Sequence, residues 1–292
     1  MKHYIKLLRI SHWVKNLSLF LPLFFSGAFF EAPLVAIDIF IGFICFSLTA
    51  SVIYIINDIK DVEEDRLHPE KKNRPFAANT VKVSTGIVIA VFLLIISMGT
   101  AYWLRPQFLL VLSAYFVLNL AYSLKLKHVP LLDISIIAVG FVLRIVGGGV
   151  IPDIYVSHWI LIMTFLLALF LGLAKRRDDV KIFMESGKKM RKSVDGYNLE
   201  FINTAMSLMG GVTIVAYIMY TLDEDTVKRL GENLYLTSLF VILGVLRYLQ
   251  ITFVQEKSGN PTKVLLKDLF IQFIIVGFIL SFGILLYINK IG

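Results

Sequence analysis

Runs of about twenty consecutive apolar residues recur along almost the whole of this 292-residue chain. A run of that length crosses the hydrocarbon of a bilayer as a helix. Inside a bilayer only helices and closed barrels satisfy their own backbone groups, so the runs constrain the fold more than any other feature. Nine stand out, at approximately 17–31, 34–56, 83–103, 107–123, 131–151, 156–174, 200–221, 234–254 and 266–288. Length alone would allow two soluble domains, but 57% hydrophobic residues and a mean hydropathy of +0.77 argue against that. The sequence therefore predicts an all-α integral membrane protein with nine transmembrane helices in a single membrane-embedded domain, 1–292. Its one cysteine, Cys45, lies inside an apolar run, which excludes a disulfide framework and a cysteine-based metal site.

The basic residues orient the helices. Lys2, Lys6, Arg9 and Lys15 precede the first run, but no small-x-small cleavage site follows it. It reads as a retained helix that Pro22 makes short or irregular, with Trp13 as an interfacial anchor. Alternate connections, together with the segment before the first run, hold 23 of the 29 Lys and Arg. By the positive-inside rule the N-terminus and the connections at about 57–82, 124–130 and 175–198 are cytoplasmic. The first and last of these are four spans apart, a spacing that hints at a duplicated four-helix unit. The net charge of +8 is thus gathered at one membrane surface, where anionic headgroups or phosphorylated ligands are its partners. It is no nucleic-acid signal.

Chemistry is concentrated where the second run meets the first basic connection. Asp58, Asp61 and Asp65 stand at i, i+3 and i+7, which puts them within roughly a 60° arc of one helix face at 100° per residue. Such carboxylates repel one another unless a cation binds them, and Mg²⁺ suits hard oxygen ligands and commonly arrives with phosphates. Asn57 and Asp58 abut the apolar run at a depth where ionisable groups tend to be functional. The bland alternative for the triad is a solvated, charged helix end. Lys71 and Arg74 follow as candidate phosphate contacts, and as single residues they fit the positive-inside rule equally well. His68, before Pro69, reads as a helix end.

Further cations flank this stretch. Lys175, Arg176 and Arg177 form a run that reads as a helix C-terminus satisfying its dipole or as a phosphate clamp; Tyr122 and Lys125 precede another basic pair. Arg144 lies inside a run, just before Gly147, Gly148 and Gly149. An intramembrane arginine needs a partner or a polar cavity. Three glycines permit close helix approach or a local break, and Asp133 is a possible partner. Arg247 is a second intramembrane arginine without a neighbouring motif.

Asn57-Asp58-x-x-Asp61-x-x-x-Asp65 resembles the first Asp-rich motif of the UbiA-type membrane prenyltransferases. Several other motifs are similar to the decaprenyl-phosphate phosphoribosyltransferase branch of that superfamily. They are His12-Trp13-Val14-Lys15-Asn16, His68-Pro69-x-Lys71-x-x-Arg74-Pro75, Tyr122-Ser123-x-Lys125-x-Lys127-His128, Gly140-Phe141-x-x-Arg144, Gly172-x-x-Lys175-Arg176-Arg177 and Asn260-Pro261 through Asp268. The aromatic prenyltransferases also carry a second motif, Asp-x-x-x-Asp. Here Ile182 stands four residues after Asp178 and Phe183 four after Asp179, so that spacing is absent.

The resemblance implies a UbiA-type bundle in the cytoplasmic (inner) membrane, with its active site facing the cytoplasm. It implies Mg²⁺ on Asp58, Asp61 and Asp65, phosphoribosyl diphosphate as donor, a polyprenyl phosphate lipid as acceptor, and a product serving as cell-wall precursor. Lys71, Arg74, Lys175, Arg176 and Arg177 are then candidates for phosphate contacts, and Lys15 and Asn16 for the site entrance. Tyr122, Lys125 and Arg144 are candidates for the acceptor phosphate. A prenyl transferase acting on an aromatic or glycerol-phosphate acceptor shares the Asp motif but lacks support from a second one. A transporter would want polar groups at both mouths. Oligomeric state has no signal in the sequence.

Overall fold

The computed structural model describes residues 2–26, 33–67, 71–187, 192–256 and 261–291. The described residues form helices α1 (Lys2–Leu8), α2 (Leu21–Ser26), α3 (Pro33–Lys60), α4 (Val62–Leu67), α5 (Val83–Leu104), α6 (Pro106–Leu124) and α7 (Leu132–Val150). They continue with α8 (His158–Ser186), α9 (Leu199–Leu222), α10 (Glu224–Leu230), α11 (Ser238–Phe253), α12 (Pro261–Lys267) and α13 (Leu269–Ile291), and 3₁₀ segments join several of them. Among the described residues eight helices are long and apolar enough to span a bilayer: α3, α5, α6, α7, α8, α9, α11 with the 3₁₀ turn before it, and α13. They match eight of the nine expected runs, and the chain is an integral membrane protein.

The first expected span differs. Ile10–Phe20 is a 3₁₀ helix and α2 is only six residues long, while residues 27–32 lie outside the described part. Pro22 sits in the first turn of α2, where its missing N–H is harmless, and it prevents a continuous α-helix through this run. His68, Pro69, Lys188, Lys189, Arg191 and Asn260 also fall outside the described residues.

The chain divides into two compact units, Met1–Leu126 with Leu143–Tyr155, and Lys127–Val142 with Val156–Gly292; α7 contributes to both. In the first unit α3 is the inner helix. Of its apolar window 61% is buried, against 17% for α5. Cys45, Phe46, Phe108, Leu112 and Tyr115 form one core cluster there, and Val52, Ile55 and Phe76 anchor another. On α5, Ile87, Val88, Val91, Phe92 and Ile95 are exposed, an apolar stripe that lipid accepts and water does not. In the second unit Phe170, Leu173, Ile202, Met206, Tyr248 and Ile251 form the core.

The 3₁₀ helix has a definite register. Three residues per turn bring i and i+3 onto one face, so Trp13, Asn16 and Leu19 form a stripe. Trp13 Nε1 donates to Ser51 Oγ at 3.1 Å and Asn16 Nδ2 to Ser47 Oγ at 2.9 Å. Those serines are one α-turn apart on α3. Leu19 packs at Gly148, where an added Cβ would lie 2.0 Å from the Leu19 carbonyl oxygen. Gly147 and Gly148 therefore serve close approach, and α7 runs unbroken to Val150.

Candidate functional site

The Asp-rich stretch keeps helical spacing across the junction of α3 and α4. Asp61 N–H donates to the Asn57 carbonyl at 3.0 Å and Asp65 N–H to the Asp61 carbonyl at 2.8 Å. One face consequently presents Asp58 and Asp65, each 2% exposed. Arg74, in the turn after a 3₁₀ segment at Lys71–Asn73, reaches both. Its Nη1 lies 3.1 Å from Asp58 Oδ1 and 2.6 Å from Asp65 Oδ2. Arg9 Nη2 donates to the same Asp58 oxygen at 2.5 Å, and its guanidinium lies 4.7 Å from the Tyr54 ring centroid. Asn57, Asp61 and Lys71 are half-buried beside this group in sequence.

Arg9 was legible in the sequence only as one of several positive-inside residues. The structure gives it a specific place: between α1 and the 3₁₀ helix it adopts φ 49°, ψ 48°. A non-glycine residue rarely holds that left-handed conformation without compensation. Here the turn delivers the guanidinium to a buried carboxylate.

Arg144 is 7% exposed. Its Nε donates to Asn16 Oδ1 at 2.6 Å, its Nη2 donates to Tyr115 OH at 2.9 Å, and it lies 4.7 Å from the Tyr115 ring centroid. Asn16, expected at a site entrance, is therefore buried and holds Arg144. Lys15 is exposed as a residue, but its ammonium is held below the usual lysine range, first by desolvation and then by repulsion from Arg144 and Arg9. Asn16 and Tyr115 are uncharged partners of Arg144. In the first unit Arg144 and Arg9 thus both repel Lys15, an arrangement that an anionic ligand relieves. Tyr122 is half-buried and Lys125 exposed at the end of α6. There Lys60 Nζ caps the helix by donating to the Ser123 carbonyl at 3.1 Å and to the Leu124 carbonyl.

Lys175, Arg176 and Arg177 lie in the second unit, and they depart from expectation. They belong to the body of α8, which extends to Ser186 and ends at Gly187 with φ 67°. The anticipated connection at 175–198 is thus helical for its first twelve residues. An Arg176–Asp179 pair at i, i+3 supports that extension.

Arg176 is committed to carboxylates. Its Nε donates to Asp133 Oδ2 at 2.6 Å and its Nη1 to Asp179 Oδ2 at 2.5 Å. Asp133 also accepts from Ser193 Oγ at 2.9 Å and from Tyr197 OH at 2.6 Å. Asp133, expected beside Arg144, is thus engaged by Arg176. Arg177 Nε donates to Asn203 Oδ1 at 2.9 Å, while its buried Nη1 has no partner among the described residues. Arg247 makes a two-pronged pair with Asp268, at 3.2 and 2.7 Å.

The donor set fits a hard divalent cation. Asp58 and Asp65 both bring an oxygen to one positive nitrogen of Arg74, and Mg²⁺ commonly uses one or two protein carboxylates with phosphate and water oxygens completing its shell. Among the described residues no three metal-ligating side chains are already gathered as a cage.

A decaprenyl-phosphate phosphoribosyltransferase of Mycolicibacterium smegmatis is 31% identical, over 98% of this chain and 92% of that protein. One of Corynebacterium glutamicum is also 31% identical, over 97% of this chain and 86% of that protein. In fold, the chain is similar to a UbiA homolog from Archaeoglobus fulgidus solved bound to GPP and Mg²⁺. That likeness has a TM-score of 0.72 and 19% identity, covering 98% of this chain and 99% of the other. The UbiA prenyltransferase family profile matches residues 19–274. The chain belongs to the UbiA prenyltransferase family, on the branch of the decaprenyl-phosphate phosphoribosyltransferases.

Proposed function

We propose that this protein transfers 5-phosphoribose from phosphoribosyl diphosphate to a polyprenyl phosphate of the membrane and releases diphosphate. The observation that carries the reading is the near-full-length similarity to two transferases of that name. The first unit's pairing of buried carboxylates with clustered cations supports it. A donor carrying a diphosphate and a 5-phosphate needs both halves of such a site.

Asp58 and Asp65, joined by Asp61 through its spacing, would hold Mg²⁺. When bound, the metal would supply Lewis-acid stabilisation of charge on the diphosphate. The protein's own groups do the rest. Arg9 and Arg74 are released from the carboxylates to the donor's phosphates, and Lys15 adds a charge whose repulsion from Arg144 and Arg9 the phosphates relieve. Arg144, fixed by Asn16 and Tyr115, offers a preorganised positive charge that costs no reorganisation during reaction. Lys71 extends the cationic rim, and Tyr122 and Lys125 are candidates for further phosphate contacts.

In the reaction an oxygen of the lipid phosphate forms a bond to ribose C1 while the bond from C1 to the diphosphate oxygen breaks, and the electron pair leaves with diphosphate. A phosphate monoester is already anionic at neutral pH, so no general base is required, and positioning and electrostatics dominate. The distribution of the basic segments supports a site at the cytoplasmic face of the inner membrane.

Protein reconstituted in vesicles with polyprenyl phosphate, Mg²⁺ and phosphoribosyl diphosphate tests this reading by mass spectrometry of the lipid fraction. The expected product is polyprenyl phosphate heavier by one phosphoribosyl group. Turnover of a prenyl diphosphate with an aromatic acceptor, and none with phosphoribosyl diphosphate, would overturn it.

A further inference from the structure

The second unit contains an apolar cavity of about 350 Å³, within the range of small-molecule sites. Phe170, Val245, Phe240, Ile274 and Phe278 line it, with Thr213 and Tyr248 as polar-edged members. It lies among α8, α9, α11, α12 and α13. Soluble cores fill such space, because an apolar void forfeits dispersion contacts.

Three buried polar atoms have no hydrogen-bond partner among the described residues where α11 leaves the cavity: Tyr248 OH, Thr252 Oγ1 and Arg177 Nη1. Their residues are 4%, 0% and 5% exposed. Tyr248 is itself part of the cavity wall, and Thr252 follows one helical turn later on the same face. Arg177 meets the same end of α11, its guanidinium 5.5 Å from the Phe253 ring centroid. The two helices stay in register, since Phe170 lies two turns before Arg177 on α8 and packs on Tyr248 with centroids 5.3 Å apart. Buried polar groups are nearly always satisfied, so three donors without a partner among the described residues mark this helix end as a place for a further polar group.

We propose that this cleft binds one isoprenoid chain carrying a phosphate monoester head: the chain occupies the cavity, and Arg177, Tyr248 and Thr252 receive the phosphate. A guanidinium and two hydroxyls form a donor set for phosphate oxygens. A cavity of this size accepts the head-proximal part of one chain, and the remainder of a polyprenyl chain extends beyond it. The inference rests on the transferase reading for the identity of its ligand, the polyprenyl phosphate acceptor. Arg177 is then a substrate-binding residue, separate in role from its neighbour Arg176.

Photo-crosslinking tests it on the full-length protein in phosphatidylcholine vesicles, without phosphoribosyl diphosphate. The probe is a polyprenyl phosphate with a photoreactive group in its chain. Crosslinks should map to α11 between Phe240 and Tyr248, and unlabelled polyprenyl phosphate should compete where phosphatidylglycerol does not. The doubly substituted Tyr248→Phe, Thr252→Val protein keeps its shape and should bind the probe roughly a hundredfold more weakly, about tenfold for each hydrogen bond to a charged group that is lost. Gly244→Leu reaches into the cavity, since a Cβ there first meets Ile274 at 3.7 Å, and it should reduce crosslinking similarly. Equal competition by phosphatidylglycerol, or crosslinks elsewhere with unchanged binding in both variants, would overturn the proposal. Because this arm involves no turnover, a protein without transferase activity would still report on the cleft. In an active protein the same variants should raise KM for polyprenyl phosphate and leave KM for phosphoribosyl diphosphate unchanged; the reverse pattern would assign these groups to the donor and sink the inference.

Discussion

At the residue scale, Asp58 concentrates the site's logic. It is buried at the end of the inner helix and accepts hydrogen bonds from two arginines. Asp58→Asn or Asp65→Asn should lower turnover by about 10²–10³, the usual effect of removing one preorganised electrostatic contact, and should raise the Mg²⁺ concentration needed for half-maximal rate. A substitution that lowers the rate without changing the Mg²⁺ requirement would argue against the metal assignment. Lys15 gives a pH signature. Its pKa is lowered in the free protein, and a bound phosphate raises it, so donor affinity is full below the free-state pKa and falls as pH rises through the bound-state value. Lys15→Arg should flatten that decline, as measured by calorimetric titration across alkaline pH; a wild-type profile that is already flat would contradict the assignment.

At the element scale, two packing features position the charged groups. Gly148 lets the 3₁₀ helix lie directly on α7, which is how Asn16 reaches Arg144. Gly148→Ala should cost about 1–3 kcal/mol in overpacking and should also weaken donor binding, read by thermal melting beside titration. Unchanged donor binding would break the link between this contact and the site. Arg176 closes a buried network with Asp133 and Asp179. Arg176→Ala should cost about 3–5 kcal/mol of stability by leaving buried carboxylates uncompensated, measurable as a lowered Tm. A variant that melts normally but loses activity would restore Arg176 to a phosphate-binding role.

At the scale of the whole molecule, the sequence discloses much of the architecture because membrane helices announce themselves by length and composition. The run at 17–31 was the exception: Pro22 signals its irregularity in the sequence, but the 3₁₀ register of Ile10–Phe20 rests on contacts with Ser47, Ser51 and Gly148, residues distant in the chain. The Asp58–Asp65 face followed from helical periodicity alone. Arg9 did not, because its role arises from a left-handed backbone turn that no motif encodes. Nor did the separate fates of Arg176 and Arg177, since adjacent residues on a helix point about 100° apart and only packing decides which one meets Asp133. The central claim at this scale is the identity of the group transferred. Its most direct test is a double-label experiment on the reconstituted protein, with one label on the ribose of phosphoribosyl diphosphate and another on its β-phosphate. The account predicts that ribose label enters the lipid fraction while the β-phosphate label leaves in water as diphosphate, in equal amounts and only with Mg²⁺. Ribose label that never reaches the lipid, while a prenyl group is transferred from a prenyl diphosphate, would contradict it.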